Sequence, residues 1–337
     1  MGKNRQRYKR NHHFIPRLYL RGFTEPESPS MLWVYEHGRT YAPGIGRLTS
    51  NPYYNSISKA GMEQDHYAFR RDDGTMDYET FENALEKKEK SADRLIEKIR
   101  GFLPLNEEEK LVLAQYMIMM HKRVPKRAEE AQGDWPEVVE ERAKVWTESF
   151  NEARRIRQAE GNENALQNLD KLRMRVEEQF NLYREGMTDG LRLAAMLRGM
   201  PMTQMAIASM RWQYFKAPHG TFFVTNNNPV FRFKSLGLSN LQPEITFPIS
   251  SSVAIVGSWY LDMPELIRQV SSGVVQEINR RTCFSTYRYV YARAAHKQVY
   301  DLVQDLVPDS ESKLSVLYDY ILPATGLPTD PDWVRQL

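Results

Sequence analysis

The sequence predicts an α+β fold. Strand-bearing N- and C-terminal segments form one sheet body, and a large helical lobe is inserted between them. Three observations predict this. Aromatic and β-branched runs, which suit a pleated half-buried surface, concentrate at residues 31–43 and again beyond Pro218. Residues 78–186 instead repeat apolar side chains at helical spacing, with Glu and Lys between them. Clusters of Gly, Pro, Ser and Asn punctuate the changes of pattern. The expected division is 1–70 for a basic arm, a His-His motif and a hairpin, 71–215 for the helical lobe, and 216–337 for a C-terminal α+β segment.

The elements follow in order. Residues 8–23 read Tyr-Lys-Arg-Asn-His-His-Phe-Ile-Pro-Arg-Leu-Tyr-Leu-Arg-Gly-Phe, with a helix over 17–23. A turn leads to a strand at 31–37, Gly38 reverses the chain, and 39–43 returns as its hairpin partner. Residues 44–61 read as loop. A helix over 78–100 gathers Phe81, Leu85, Ala92, Leu95, Ile96 and Ile99 on one face, with Gly101 as its stop. Asn106 is the expected N-cap of the next helix, and Glu107, Glu108 and Glu109 suit its positive end. That helix is apolar nearly all round, so it is the expected central buried helix of the lobe. It ends before Pro125, which disfavours helix at Val124. Residues 134–159 and 162–186 form an antiparallel helical hairpin with Gly161 in its turn. Residues 190–213 are a Met-rich helical stretch broken by Pro201. Strands are expected at 221–225, 244–249, 253–260 and 289–292, with helices at 265–286 and 297–306.

The opening segment resembles that of an uncharacterised, mostly bacterial family catalogued as domain of unknown function 4238. The family's opening is roughly His-His-x-Ile/Val-Pro-x-x-Tyr-Leu-x-x-Phe, matched here by His12, His13, Ile15, Pro16, Tyr19, Leu20 and Phe23. The resemblance continues through Leu32-Trp33-Val34-Tyr35, through His66-Tyr67, and through His121, Arg123 and Pro125, where Val124 replaces the family's usual Thr. It resumes at Thr225-Asn226-Asn227-Asn228-Pro229-Val230, where Asn227 occupies the position of the family's Asp. Phe247-Pro248-Ile249-Ser250 and Glu277-Ile278-Asn279 complete it. The family implies no settled activity.

The residues themselves offer chemistry at two places. The Asn turn follows a strand, where a rigid sheet can project a polar loop, and carboxamides orient a substrate without titrating. An amide at Asn227 lacks the charge that a hard cation needs. The alternative at that turn is that the amides cap neighbouring backbone. The His-His opening is similar to the first strand of a His-Asn-His nuclease motif, in which a histidine activates water and another ligates a divalent metal. Adjacent residues of a strand point to opposite faces, so His12 and His13 cannot share one ion there. Distant partners are Glu63, Asp65, His66, His121 and His219. The alternative is a histidine that fixes the opening segment against the body.

Charge adds to this reading. The formal net charge is only +3, yet residues 1–27 hold seven Lys and Arg against two acids. The excess sits in Lys3, Arg5, Arg7, Lys9, Arg10, Arg17 and Arg21, and it points to phosphate or another polyanion, or to a solubilising terminus. A single cysteine, Cys283, excludes an intrachain disulfide and a cysteine-built zinc site. No apolar run is long enough to cross a bilayer, and the basic N-terminus lacks the apolar stretch of a signal peptide. The expected compartment is the cytoplasm. No Walker loop, Gly-x-Gly-x-x-Gly fingerprint or Gly-x-Ser-x-Gly elbow is present, so ATP, NAD and acyl-serine chemistry lack support.

The leading expectation is a protein acting on DNA or RNA, as a phosphodiesterase dependent on Mg or Mn in a defence or toxin setting. His12, His13, Asn228 and Arg123 would be its catalytic set. Arg10, Arg17, Arg21, Asn226 and Asn227 would bind substrate, and His13, Asp65 and His66 would hold the metal. The alternatives are a non-catalytic nucleic-acid-binding module, or a structural protein that forms a homodimer through hairpin 134–186.

Overall fold

The computed structural model describes residues 10–36, 41–42, 46–47, 52–71, 73–232, 244–259 and 265–304. Lys3, Arg5, Arg7 and Lys9 of the basic arm, together with His37 and residues 305–306 of the last expected helix, lie outside the described residues. The architecture is mixed α+β. The chain forms two compact units, one of Met1–Tyr67, Tyr78–Val124 and Arg198–Leu337, the other of Ala68–Asp77 and Pro125–Leu197.

In the first unit, the described strands form two larger sheets rather than one. A four-stranded antiparallel sheet joins the two ends of the chain in the order Thr225–Asn226, Tyr289–Ala292, Met31–Glu36, Tyr53–Ser56. A five-stranded sheet runs Phe231–Arg232, Ile245–Pro248, Val253–Ser258, Arg211–Lys216, Ile267–Gln269. Its last pair is parallel and the others are antiparallel.

Four expectations are corrected here. Met31–Glu36 is not paired with Tyr41–Ala42, which pairs with Gly46–Arg47 instead, and residues 39, 40 and 43 of the expected return strand lie outside the described residues. The hairpin-side partner of Met31–Glu36 is Tyr53–Ser56, inside the expected loop, where Trp33 lies opposite Tyr54 with rings 5.2 Å apart. That aromatic cross-strand pair outweighs the Gly and Asn around it. Arg211–Lys216 is a strand, not the end of a helix. Residues 212–215 are all buried, so its alternation is invisible and the run reads equally as buried helix. Residues 265–286 divide into the strand Ile267–Gln269 and the helix Ser272–Phe284, whose start is fixed by the Ser271 hydroxyl accepting from Val274 N–H. Of residues 221–225, only Thr225 enters a ladder. The Asn279 carboxamide takes the place of a neighbouring strand, accepting from Val224 N–H at 2.9 Å and donating to Phe222 O at 2.9 Å.

The helices lie close to expectation. Thr80–Arg100 buries the six apolar residues of its stripe. Glu107–Lys122 begins with a reciprocal capping box between Asn106 and Glu109, and it buries Leu113, Ala114, Tyr116, Met117, Met119 and Met120. In the second unit, Pro125–Ala159 and Glu163–Arg184 form the antiparallel hairpin. The first of these begins nine residues earlier than the expected position 134 and carries Pro136 within it. No helix among the described residues is long and apolar enough to cross a membrane.

Candidate functional site

The opening segment is clamped into the first unit by buried polar contacts. Asn11–His13 pairs antiparallel with Met62–Gln64, and Ile15 N–H then bonds to Gly61 O at 3.0 Å. Gly61 has φ +61°, and a Cβ there would come within 2.6 Å of the Ile15 side chain, so only glycine lets the two segments meet. His12 is fully buried. Its Nδ1 accepts from Tyr67 N–H at 2.9 Å, its Nε2 lies 3.1 Å from Tyr78 O, and its ring stacks on Tyr67. Both nitrogens are thereby used when Nε2 carries the proton. His13 is half-buried, with Nε2 3.2 Å from Ser58 O.

Arg123 is the centre of this clamp. It is 2% exposed. Its Nε donates to Tyr67 Oη at 2.9 Å, one terminal nitrogen donates to His13 O at 2.6 Å, and the other pairs with Glu89. Burial alone would lower its pKa, but Tyr67 and Glu89 hold it above the ordinary value. Burial pushes the Tyr67 hydroxyl up to about 12 despite Arg123 beside it. His66 is also buried, with Nε2 3.0 Å from Arg123 O and Nδ1 3.2 Å from Glu63 Oε2. These contacts fix the opening segment within the first unit.

The other recognisable motif is similarly engaged. Tyr19 is fully buried, and its hydroxyl donates to Pro248 O at 2.6 Å and lies 2.8 Å from Thr225 Oγ1. Its ring stacks on Phe247. The opening motif and the Asn turn thus meet at Tyr19. Asn226 Nδ2 donates to Thr282 O and to the Ser285 and Thr286 hydroxyls, while its Oδ1 accepts from Asn228 N–H. Asn227 Oδ1 accepts from Tyr287 and Arg288 N–H at 3.1 and 3.3 Å. A carboxylate at this position could accept the same two bonds, so the acceptor role in the turn does not depend on which of the two stands there. Asn228 Nδ2 donates to Ser285 O at 3.2 Å, and its buried Oδ1 has no partner among the described residues. The amides join the end of helix Ser272–Phe284 to the strand that follows it.

The expected metal set does not converge. Asp65 is taken by Arg10, whose hydrogen bond and charge hold its carboxyl below the ordinary range. His13 and His66 turn to Ser58 O, Arg123 O and Glu63. Among the described residues, no group of three His, Cys, Asp or Glu side chains could hold a metal ion. Cys283 is buried, and burial pushes its thiol up to about 12, which suits a packed side chain rather than a nucleophile.

Two of the expected substrate-binding arginines stand apart from this network. Arg17 and Arg21 are exposed and make no side-chain hydrogen bond or ion pair among the described residues. They occupy the outer face of a turn whose inner residues, Tyr19, Leu20 and Phe23, are wholly buried. The Arg21 N–H bonds to Arg17 O, which sets the two one helical turn apart. Arg100 locks the turn from behind, donating to Leu18 O, Tyr19 O and Ile249 O. Gly22 permits the close approach, since a Cβ there would come within 2.7 Å of Ile249 O.

One titratable group beside this face escaped the sequence reading. Glu89, Asp93 and Glu97 share a face of helix Thr80–Arg100 at four-residue spacing. Glu89 pairs with Arg123 and Glu97 with Arg100, whereas Asp93 has neither hydrogen bond nor ion pair among the described residues. Burial, then repulsion from Glu89 and Glu97, raises its pKa, and Arg100 and Arg21 oppose the rise. The buried Tyr116 hydroxyl, which lacks a partner among the described residues, feels the charge of Glu89 and Asp93. The four-residue repeat of acids was legible in the sequence, but the unpaired member was not.

A family model described as "Protein of unknown function (DUF4238)" matches residues 11–296. No curated protein and no solved structure matches the chain.

Proposed function

The chain belongs to that family, whose description assigns no activity, and from its own geometry we propose that the protein binds nucleic acid by its phosphate backbone through the Arg17–Arg21 face. One observation carries this reading: two exposed guanidinium groups that make no hydrogen bond or ion pair among the described residues, one turn apart, on a segment that buried contacts hold rigid. Arginines already satisfied by carboxylates would have to exchange one partner for another. These two need not. Guanidinium forks suit phosphate oxygens, and rigidity lowers the entropy lost on binding. The sequence before this face carries four further cations, Lys3, Arg5, Arg7 and Lys9, which favour association with a polyanion.

The test is fluorescence anisotropy with labelled duplex DNA and single-stranded RNA over a salt series. Wild type should bind more weakly as salt rises. The double variant Arg17→Ala/Arg21→Ala should lose about tenfold or more in affinity, and its salt slope on duplex DNA should fall by about two. Unchanged affinity and slope in the double variant would overturn the assignment of the face.

A second reading, phosphodiester cleavage, is favoured specifically by Asp93, an unpaired carboxylate with a raised pKa beside Arg21. Cleavage of the same probes, lost in Asp93→Asn while binding persists, would support it. Binding without cleavage, with and without Mg or Mn, would leave the protein a binding module.

A further inference from the structure

The helical hairpin is an unfinished bundle. Pro125–Ala159 extends about 50 Å at the ordinary helical rise, yet it buries only Val139, Ala143 and Phe150. Its partner, Glu163–Arg184, buries none of its 22 residues. The seam between them holds Trp135, Trp146, Phe150, Phe180 and Tyr183 in ring contact, and the Trp135 indole donates to Tyr183 O at 2.8 Å. Trp135, Trp146, Phe180 and Tyr183 are thus left half-covered, as they are where a two-helix layer lacks a second layer.

An apolar stripe continues from the seam. Val138, Val145 and Ile156 are 41%, 51% and 45% exposed. At 100° per residue they fall within about 20° of one another, on a single line along the helix. Leu172 and Leu182 of the second helix are also about half exposed. Isolated exposed apolar residues are ordinary, but an aligned set beside a half-covered aromatic seam is a surface shaped for another helix layer.

Charge selects the occupant. The distal end of the hairpin, residues 153–175, has six Lys and Arg against three acids. The proximal part is the reverse: residues 128–152 have eight acids against two bases, and residues 176–186 have three against one. Two copies laid antiparallel place each basic end on the other's acidic part, twice by symmetry. A parallel overlay sets like on like and is opposed. Lys171 and Arg175 at the basic end, and Asp134 and Glu141 in the acidic part, make no ion pair among the described residues, so all four have charge to offer a partner. We propose that the hairpin is the dimer interface of this protein, closing with its copy into an antiparallel four-helix bundle. This goes beyond the phosphate-binding reading and does not depend on it.

The experiment is sedimentation velocity on the full chain, with far-UV circular dichroism to verify folding. Wild type should be a dimer in the micromolar range, weakening as salt is raised. Val145→Glu should be monomeric with unchanged helix content. Lys171→Glu/Arg175→Glu is acidic throughout the hairpin, and Asp134→Lys/Glu141→Lys is basic at the distal end and less acidic in the proximal part. Each set weakens the attraction at both symmetric contacts, so each should lose the dimer. A wild type that stays monomeric up to about 100 µM would overturn the proposal. So would a dimer that survives Val145→Glu and both charge sets.

Discussion

The opening segment and the helical hairpin are both rich in arginine, and they use it in opposite ways. Around the opening segment, Arg123 is sealed from water with every donating nitrogen engaged, and Arg100 closes over the carbonyls of the motif helix. On the hairpin, Arg154, Arg155, Arg157, Arg173 and Arg184 pair with acids in the open, most of them within one turn or one helix–helix step. The chemistry of the pairs is the same. The difference is water. A buried pair must stay intact because neither charge can return to solvent, whereas an exposed pair exchanges one good environment for another. The conformation of the opening segment is therefore fixed by its charges, and the hairpin merely carries them.

The sharpest way to break this comparison is Arg123→Ala. It strands the Glu89 carboxylate, Tyr67 Oη and His13 O at once, all at or near the buried clamp. The expected loss is about 3–5 kcal/mol of folding stability, read by urea denaturation, the range found when one partner of a buried ion pair is removed. Adding Glu89→Gln should recover part of the loss, because the orphaned charge goes with it. A loss under about 1 kcal/mol would mean that water reaches the clamp, and the contrast with the hairpin would fail.

Asp93 sharpens the comparison from the opposite side, as the member of its acidic row that the clamp leaves out. Its folded-state pKa is raised, so ionisation is less favourable in the folded chain than in the unfolded one. Below the ordinary aspartate range, about pH 3.9, both states are protonated and the residue is neutral in its effect. As pH rises through that range and past the raised value, the penalty develops, and above it the penalty is complete. Asp93→Asn should accordingly raise the melting temperature at pH 7, by less than Arg123→Ala lowers it, and the gain should vanish near pH 3. A gain that is constant with pH would show that packing, not charge, is responsible. A carboxylate held at a cost to stability beside an exposed arginine, whose charge offsets that cost only in part, is a pattern of functional sites.

Much of the fold was legible, and the reason is local. Asn106 with Glu109 is a complete helix start within four residues, and Gly101 stops the preceding helix within one. The strand Arg211–Lys216 was not legible, because its definition lies in the two neighbours it pairs with, Val253–Ser258 and Ile267–Gln269. Asn279 shows the limit more sharply. Its amide completes the backbone bonding of Phe222 and Val224, 55 and more residues away, and no local pattern encodes that. The site divided along the same line. The polar residues that looked chemical, His12, His66, Arg123, Asn226 and Asn227, were recognisable as a set, but their bonds run to backbone and side-chain groups brought together only by folding. Arg17 and Arg21 looked like ordinary members of a basic run, and what separates them is that their side chains make no hydrogen bond or ion pair among the described residues.

The smallest expected effect comes from the hairpin itself. Arg154 pairs with Asp170 across the two helices, with side chains 37% and 51% exposed. Arg154→Ala should cost about 0–1 kcal/mol, since the pair trades a screened attraction against the entropy of two restrained side chains. For a chain of this size that is a shift in melting temperature of only about 2–4 °C at most. Raising the salt should shrink even this difference, because exposed charges are screened over about 10 Å at 0.1 M. A cost approaching that of Arg123→Ala would mean that Arg154 is sealed from water in solution. The distal end of the hairpin would then lie in the desolvated centre of the proposed dimer rather than at its polar rim, and the division between a charge-fixed core and a charge-carrying surface would have to be redrawn around the assembled protein.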